Sequence, residues 1–243
     1  MTRNFKTSTL SLIAASFAAA SASAVPVVLM DPTTNDGSFE SRTGDAKLFP
    51  GSDVVTGPWT VSHDAPAGDV GGLLDRADDR LDTDGTVGIF QDTGGSTTTA
   101  ATNASILGTN GYNTVTAGDT FSGSFDVNAL DSGVNSFGEV LLSFDGGSTW
   151  QSAGVQLASD GVFGVNPTPS LTNWQTGTIS YVASAQDAAD AANSGLLVSV
   201  EITDVDGNAF LDNVQISVDP VPEPSSLALL GLGGLLIARR RRG

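Results

Sequence analysis

Asp212 is the residue whose type and position promise the most chemistry. The segment Phe210-Leu211-Asp212-Asn213-Val214-Gln215-Ile216-Ser217-Val218 reads as a strand, with Phe210, Asp212, Val214, Ile216 and Val218 on one parity. Simple alternation aims the Asp212 carboxylate into the core. A carboxylate there is costly unless it is paired or ligated. Basic partners are scarce, because residues 25–221 contain only Arg42, Lys47, Arg76 and Arg80. Calcium, which takes oxygen ligands, is one expected solution. A bulge that turns Asp212 outward, or capping by backbone amides and Asn213, is the other.

Composition removes much of the remaining chemistry. The chain has no cysteine, which excludes thiolate metal sites and cysteine nucleophiles. Its single histidine, His63, rules out a His-rich metal centre, and any Ser-His-Asp triad would have to use it. Ser62, His63 and Asp64 are neighbours in sequence, an arrangement that a strand splits between two faces, and no G-x-S-x-G elbow occurs. His63 therefore reads as a surface or turn residue. Residues 25–221 hold 26 acidic side chains against four basic ones, a formal charge of −22. Among so many carboxylates a pair at glycosidase spacing arises by chance, so sequence alone gives such a pair no weight. The charge opposes nucleic acid and anionic lipid, and it suits either solubility in salt or divalent-cation binding.

These residues need elements to hold them. Phe121, Gly123, Phe125 and Val127 alternate with Ser122, Ser124 and Asp126. Val140, Leu142 and Phe144 repeat the period, as do Ile179 with Tyr181 and Val198 with Val200 and Ile202. Val25 to Met30 reads as a first strand, Val54 to Val61 as an extended segment broken at Gly57-Pro58, and Val87 to Phe90 as another strand. Ser96 to Thr102 reads as a polar loop, and Ser184 to Asn193 as a short helix. Many short strands with Gly and Asp turns predict an all-β antiparallel sandwich. Trp59 is expected in the core. The other aromatics that could form a sugar platform, Tyr112, Trp150, Trp174 and Tyr181, are scattered.

Two end motifs sharpen the fold. Asn35-Asp36-Gly37-Ser38-Phe39-Glu40 and Asp212-Asn213-Val214 resemble the opening and closing strands of galactose-binding-like jelly-roll domains, the fold of many carbohydrate-binding modules. That resemblance implies a jelly roll with a structural calcium held by Glu40 and Asp212, helped by backbone carbonyls near Asp36 and Ser38. Ser143-Phe144-Asp145-Gly146-Gly147-Ser148-Thr149-Trp150 fits the Asp-box pattern S-x-D-x-G-x-x-W. It occurs once, so it implies a hairpin stabilised by Ser143, Asp145, Gly147 and Trp150 rather than a propeller. Asp82-Thr83-Asp84-Gly85 and Asp204-Val205-Asp206-Gly207 lack the outer ligands of an EF-hand loop and read as exposed turns.

Both ends carry addresses. Residues 1–24 have a basic start at Arg3 and Lys6, an apolar stretch from Leu10 to Ala20 and an Ala22-Ser23-Ala24 cleavage site, the pattern of a signal peptide. Residues 221–243 run from Pro222-Glu223-Pro224 through an apolar stretch, Leu227 to Ala238, to Arg239, Arg240, Arg241 and Arg242. The tail resembles the PEP-CTERM sorting signal of Gram-negative bacteria. The resemblance implies a transient transmembrane segment at about residues 225–238, arginines on the cytoplasmic side, and processing near Pro-Glu-Pro by an exosortase after export through the secretion machinery. The twelve apolar residues make a helix about 18 Å long, short for a permanent span of about 30 Å. Residues 25–220 are then cargo for the cell surface or extracellular matrix. The expected function is non-enzymatic, binding or organising exopolysaccharide. The alternatives are an extracellular polysaccharide hydrolase and a structural coat protein that gathers calcium.

Overall fold

Alternation between buried and exposed side chains runs through nearly every strand of the computed structural model. It describes residues 25–37, 39, 46–48, 53–64, 70–75, 87–92, 96–129, 136–157, 174–204 and 208–221. All of them belong to one compact unit, Ala24–Val221. Met1–Ser23 and Pro222–Gly243 form a second unit, outside the described residues. The signal peptide and the sorting tail therefore lie outside them, as do Ser38, Glu40 and the Asp82–Gly85 cluster. Among the described residues no helix is long and apolar enough to cross a membrane.

Among the described residues, thirteen strands build two antiparallel sheets. In chain order they are β1 (Val27–Met30), β2 (Ala46–Leu48), β3 (Asp53–Thr56), β4 (Trp59–Asp64), β5 (Val70–Asp75), β6 (Val87–Asp92) and β7 (Ser96–Thr102). They continue with β8 (Thr120–Ala129), β9 (Phe137–Ser143), β10 (Gln151–Leu157), β11 (Gln175–Val182), β12 (Leu197–Asp204) and β13 (Asn208–Asp219). The first sheet has the order β11-β8-β13-β6-β5-β2, with β1 also paired to β13; the second runs β10-β9-β12-β7-β4-β3. The two stack as a jelly-roll sandwich.

The core lies between the sheets. Phe121, Phe125, Val127, Leu211 and Ile216 of the first sheet are fully buried, as are Trp59, Val61, Ala100, Val140, Leu142, Val198, Val200 and Ile202 of the second. A side chain added at Gly138 of β9 would strike Val127, Leu211 and Phe125, which fixes the direction in which those three point. Trp59 is a core residue: its ring lies 4.9 Å from that of Phe39, and its indole N–H donates to the Asp36 carbonyl at 2.8 Å.

Two sequence expectations change and a third is met. Ser96–Thr102 is a strand rather than a loop, because its β-branched threonines pair on both sides, with β12 and with β4. His63 is 2 % exposed rather than superficial. It continues the inward parity of Trp59 and Val61, its Nδ1 lies 3.1 Å from the Thr98 hydroxyl, and only the missing side chain of Gly71 leaves space for its ring. The expected short helix exists as α1 (Ala185–Ser194), closed by a capping box in which Ser184 and Asp187 bond each other's backbone amides. The same Asp187 carboxylate accepts the Tyr181 hydroxyl at 2.8 Å. Burial, and then this carboxylate, push the Tyr181 phenol up to about 12.

Candidate functional site

Asp212 does not point into the sandwich. The register of β13 against β8 pairs Leu211 with Val127 and Asp212 with Asp126, then shifts before Gln215 meets Ser124. Directly opposed residues share a face, and Val127 faces the second sheet. Asp212 therefore faces the other way, and the bulge at Asn213 and Val214 restores Ile216 and Val218 to the core side. Asn213 takes φ 54°, and its amide donates to Asp212 Oδ1 at 2.7 Å. The carboxylate is nonetheless only 1 % exposed, and Phe210 and Asn128, on the same face, are buried too.

Of the other expected calcium ligands, the Asp36 carbonyl already accepts two donors, the Trp59 indole and the Phe39 amide at 3.1 Å. Among the described residues no group of three or more His, Cys, Asp or Glu side chains is arranged for a metal ion.

The Asp-box closes the loop between β9 and β10. The Ser143 hydroxyl donates to Asp145 Oδ1 at 2.9 Å and accepts the Gly147 amide at 2.8 Å. The Thr149 amide and hydroxyl donate to Asp145 Oδ1 and Oδ2 at 2.9 and 2.7 Å. Gly146 and Gly147, at φ 75° and 89°, supply the left-handed backbone that the turn needs. Trp150 packs within reach of Gly147. Thr149, first through its amide and then its hydroxyl, holds the Asp145 carboxyl down at about 2. The stability it contributes is present above the ordinary aspartate value of 3.8 and is lost as pH falls through about 2. Asp145→Ala is therefore expected to lower the melting temperature at pH 7 and to narrow the gap from wild type near pH 2. Thermal melts across that range measure it.

Hydroxyl and carboxylate side chains collect on the outer face of the second sheet. One row crosses all six strands in register: Asp53, Ser62, Thr99, Glu201, Glu139 and Val155. Beside it lie the row Asp64, Thr97, Thr203, Phe137 and Leu157 and the row Val55, Thr60, Ala101, Ser199 and Leu141. The Thr97 and Thr203 hydroxyls bond each other at 2.9 Å. Hydroxyls and carboxylates share the inner strands of the face with Ala101, Phe137 and Leu141, Ser199 is buried, and exposed Val55 at one edge and Val155 and Leu157 at the other add apolar rims. At ordinary strand spacing the face is about 24 Å wide.

Glu201 and Glu139 are direct cross-strand neighbours, with Cβ atoms expected about 5 Å apart. Partial burial, and then the Glu139 charge, raise the Glu201 carboxyl above the ordinary glutamate value. Sequence reasoning missed this pair. Each glutamate shows outward parity in its own strand, but only the register between β9 and β12 brings residues so far apart in the chain face to face. The aromatics expected as sugar platforms do not gather there: Trp59 and Tyr112 are buried, and Tyr181 stacks on Phe144 at 5.6 Å.

The class defined by fold and site is an antiparallel jelly-roll sandwich with hydroxyl and carboxylate side chains in register across the outer face of one sheet. Residues 220–242 match the PEP-CTERM protein-sorting motif, so the chain carries the signal of an exported protein sorted to the cell surface. Among curated proteins no sequence matches the chain. Among solved structures it is similar to TmCBM61, solved with β-1,4-galactotriose, at 14 % identity over 65 % of this chain and 87 % of that one, TM-score 0.40. It is similar to the CBM22-1 xylan-binding domain of Paenibacillus barcinonensis Xyn10C at 16 % identity over 83 % and 100 %, TM-score 0.41. A cyclase from Fischerella sp. TAU matches at 11 % identity over 82 % and 100 %, TM-score 0.49.

Proposed function

We propose that this is an exported protein, handed to the cell surface or matrix through exosortase processing of its tail, whose sandwich binds polysaccharide without turning it over. The observation that carries the reading is the in-register row of five hydroxyl and carboxylate side chains, Asp53, Ser62, Thr99, Glu201 and Glu139, on the outer face of the second sheet. Sugars offer dense hydroxyls along an extended chain. A flat array of Ser, Thr and Glu side chains can exchange hydrogen bonds with them, while the apolar rims cover C–H faces. Affinity electrophoresis of the exported protein in isolated exopolymer tests this: retarded migration is expected, and unchanged migration on exopolymer and on a panel of plant and bacterial glycans removes it.

One observation favours a second reading, a hydrolase. Glu139 and Glu201 are direct cross-strand neighbours, and the Glu201 carboxyl is raised, as a general acid requires. Both side chains are half-buried on a sheet face. Release of reducing ends from the exopolymer, abolished by Glu139→Gln, would favour the hydrolase.

The proposal includes a structural Ca2+ held by Asp212 with Glu40. Its support is a carboxylate that is only 1 % exposed and stands directly opposite a second carboxylate, Asp126, on β8. Chelation is expected to lower the melting temperature, because an ion at 100 times its Kd stabilises the native state by about 2.7 kcal/mol. A melt unchanged by chelator removes the ion.

A further inference from the structure

Where the folded domain ends is set by one buried carboxylate. β13 stops at Asp219, and Pro220 has no amide hydrogen with which to continue the ladder. One residue later the Val221 amide donates to Asp119 Oδ1 at 2.7 Å. Asp119 is 1 % exposed, and its Oδ2 accepts the Tyr112 hydroxyl at 2.6 Å and the Thr116 amide at 2.7 Å. Its own backbone is tied at both ends, the amide to the Thr116 carbonyl and the carbonyl to the Ala183 amide. Tyr112 is buried edge-on against Phe121. The carboxylate therefore cannot follow Val221 if the chain is pulled away. The next residues are Pro222-Glu223-Pro224, so no linker separates the anchored amide from the sorting motif.

We propose that Asp119 is a positioning residue for tail processing: by holding the Val221 amide it confines the cut to bonds beyond Val221. The proposal rests on the reading of the tail as a processed signal. Enzymes that cut peptides take them as extended chains with backbone groups free for pairing. The Val221 N–H is already committed to a charged acceptor, which makes the bonds around it poor substrates. In the cut itself, the peptide bond breaks, the acyl carbon passes to water or an amine nucleophile, and the released tail carries the new amino terminus.

The test is C-terminal mass spectrometry of the full-length protein expressed in its producing cells, with amide exchange at Val221 followed in parallel. The wild type is expected to show one terminus at or beyond Val221. Asp119→Ala is expected to add termini upstream of Val221 and to speed exchange at that amide by about ten- to a hundredfold. Asp119→Asn keeps an oxygen for Val221 and is expected to restore the wild-type terminus. Tyr112→Phe removes one hydrogen bond and no volume, so it carries the test if the alanine variant does not fold; a smaller upstream fraction is expected from it. A wild-type terminus before Val221, or termini identical in all variants, overturns the proposal. A mature protein still ending at Gly243 instead refutes the processing reading itself.

Discussion

Trp59→Ala is expected to destabilise the domain by about 3–5 kcal/mol, the range for removing a large aromatic from a packed core. Trp59 is fully buried, packs on Phe39, and gives its indole N–H to the Asp36 carbonyl. Its loss leaves a cavity between the sheets and takes away one of the two donors that hold the turn after β1 in place. Urea unfolding measures the effect. The variant's folded fraction is expected to bind polysaccharide normally, because Trp59 faces the second sheet's inner side. A loss below about 1 kcal/mol accompanied by lost binding would instead make it a sugar platform.

Glu201→Gln is expected to separate stability from function. Glu201 sits at the centre of the candidate face opposite Glu139, and burial and that neighbour raise its carboxyl. A group raised in the folded state contributes stability that is fully present below its ordinary value of 4.5 and lost as pH rises through the folded value. At pH 7 the native protein therefore carries a penalty that glutamine relieves. The variant is expected to melt higher than wild type at pH 7, by up to about 1 kcal/mol in stability, with the difference vanishing below the ordinary carboxyl range. Its affinity for exopolymer is expected to fall by about tenfold or more, because a hydrogen bond to a charged group contributes about 1.5–3 kcal/mol. A variant that melts lower and binds equally well would place Glu201 outside the binding face.

The sandwich was legible wherever local alternation was strong. Phe121 to Val127, Val140 to Leu142 and Val198 to Ile202 declare their inner faces, and both sheets are built around them. Signals that depend on a single residue's context were misread. The threonines of Ser96–Thr102 read as loop because Thr and Ser favour turns, yet two neighbouring strands recruit them into the ladder. His63 read as superficial on residue type, although its parity with Trp59 and Val61 already placed it inside. Asp212 was misassigned for the opposite reason: alternation was trusted across Asn213, and one extra residue there reverses the face. The Glu139–Glu201 pair was beyond reach, because register between strands distant in sequence is a property of the whole sheet.

The central claim is that the outer face of the second sheet is where this surface-sorted protein meets polysaccharide. Its most direct test is backbone chemical-shift mapping of residues 25–221 titrated with fragments of the producer's own exopolymer. The expected result is perturbation concentrated along Ser62, Thr99, Glu201 and Glu139, with the first sheet quiet. Perturbations confined to the first sheet or to the Asp145 turn, or none at saturating exopolymer, would contradict the account.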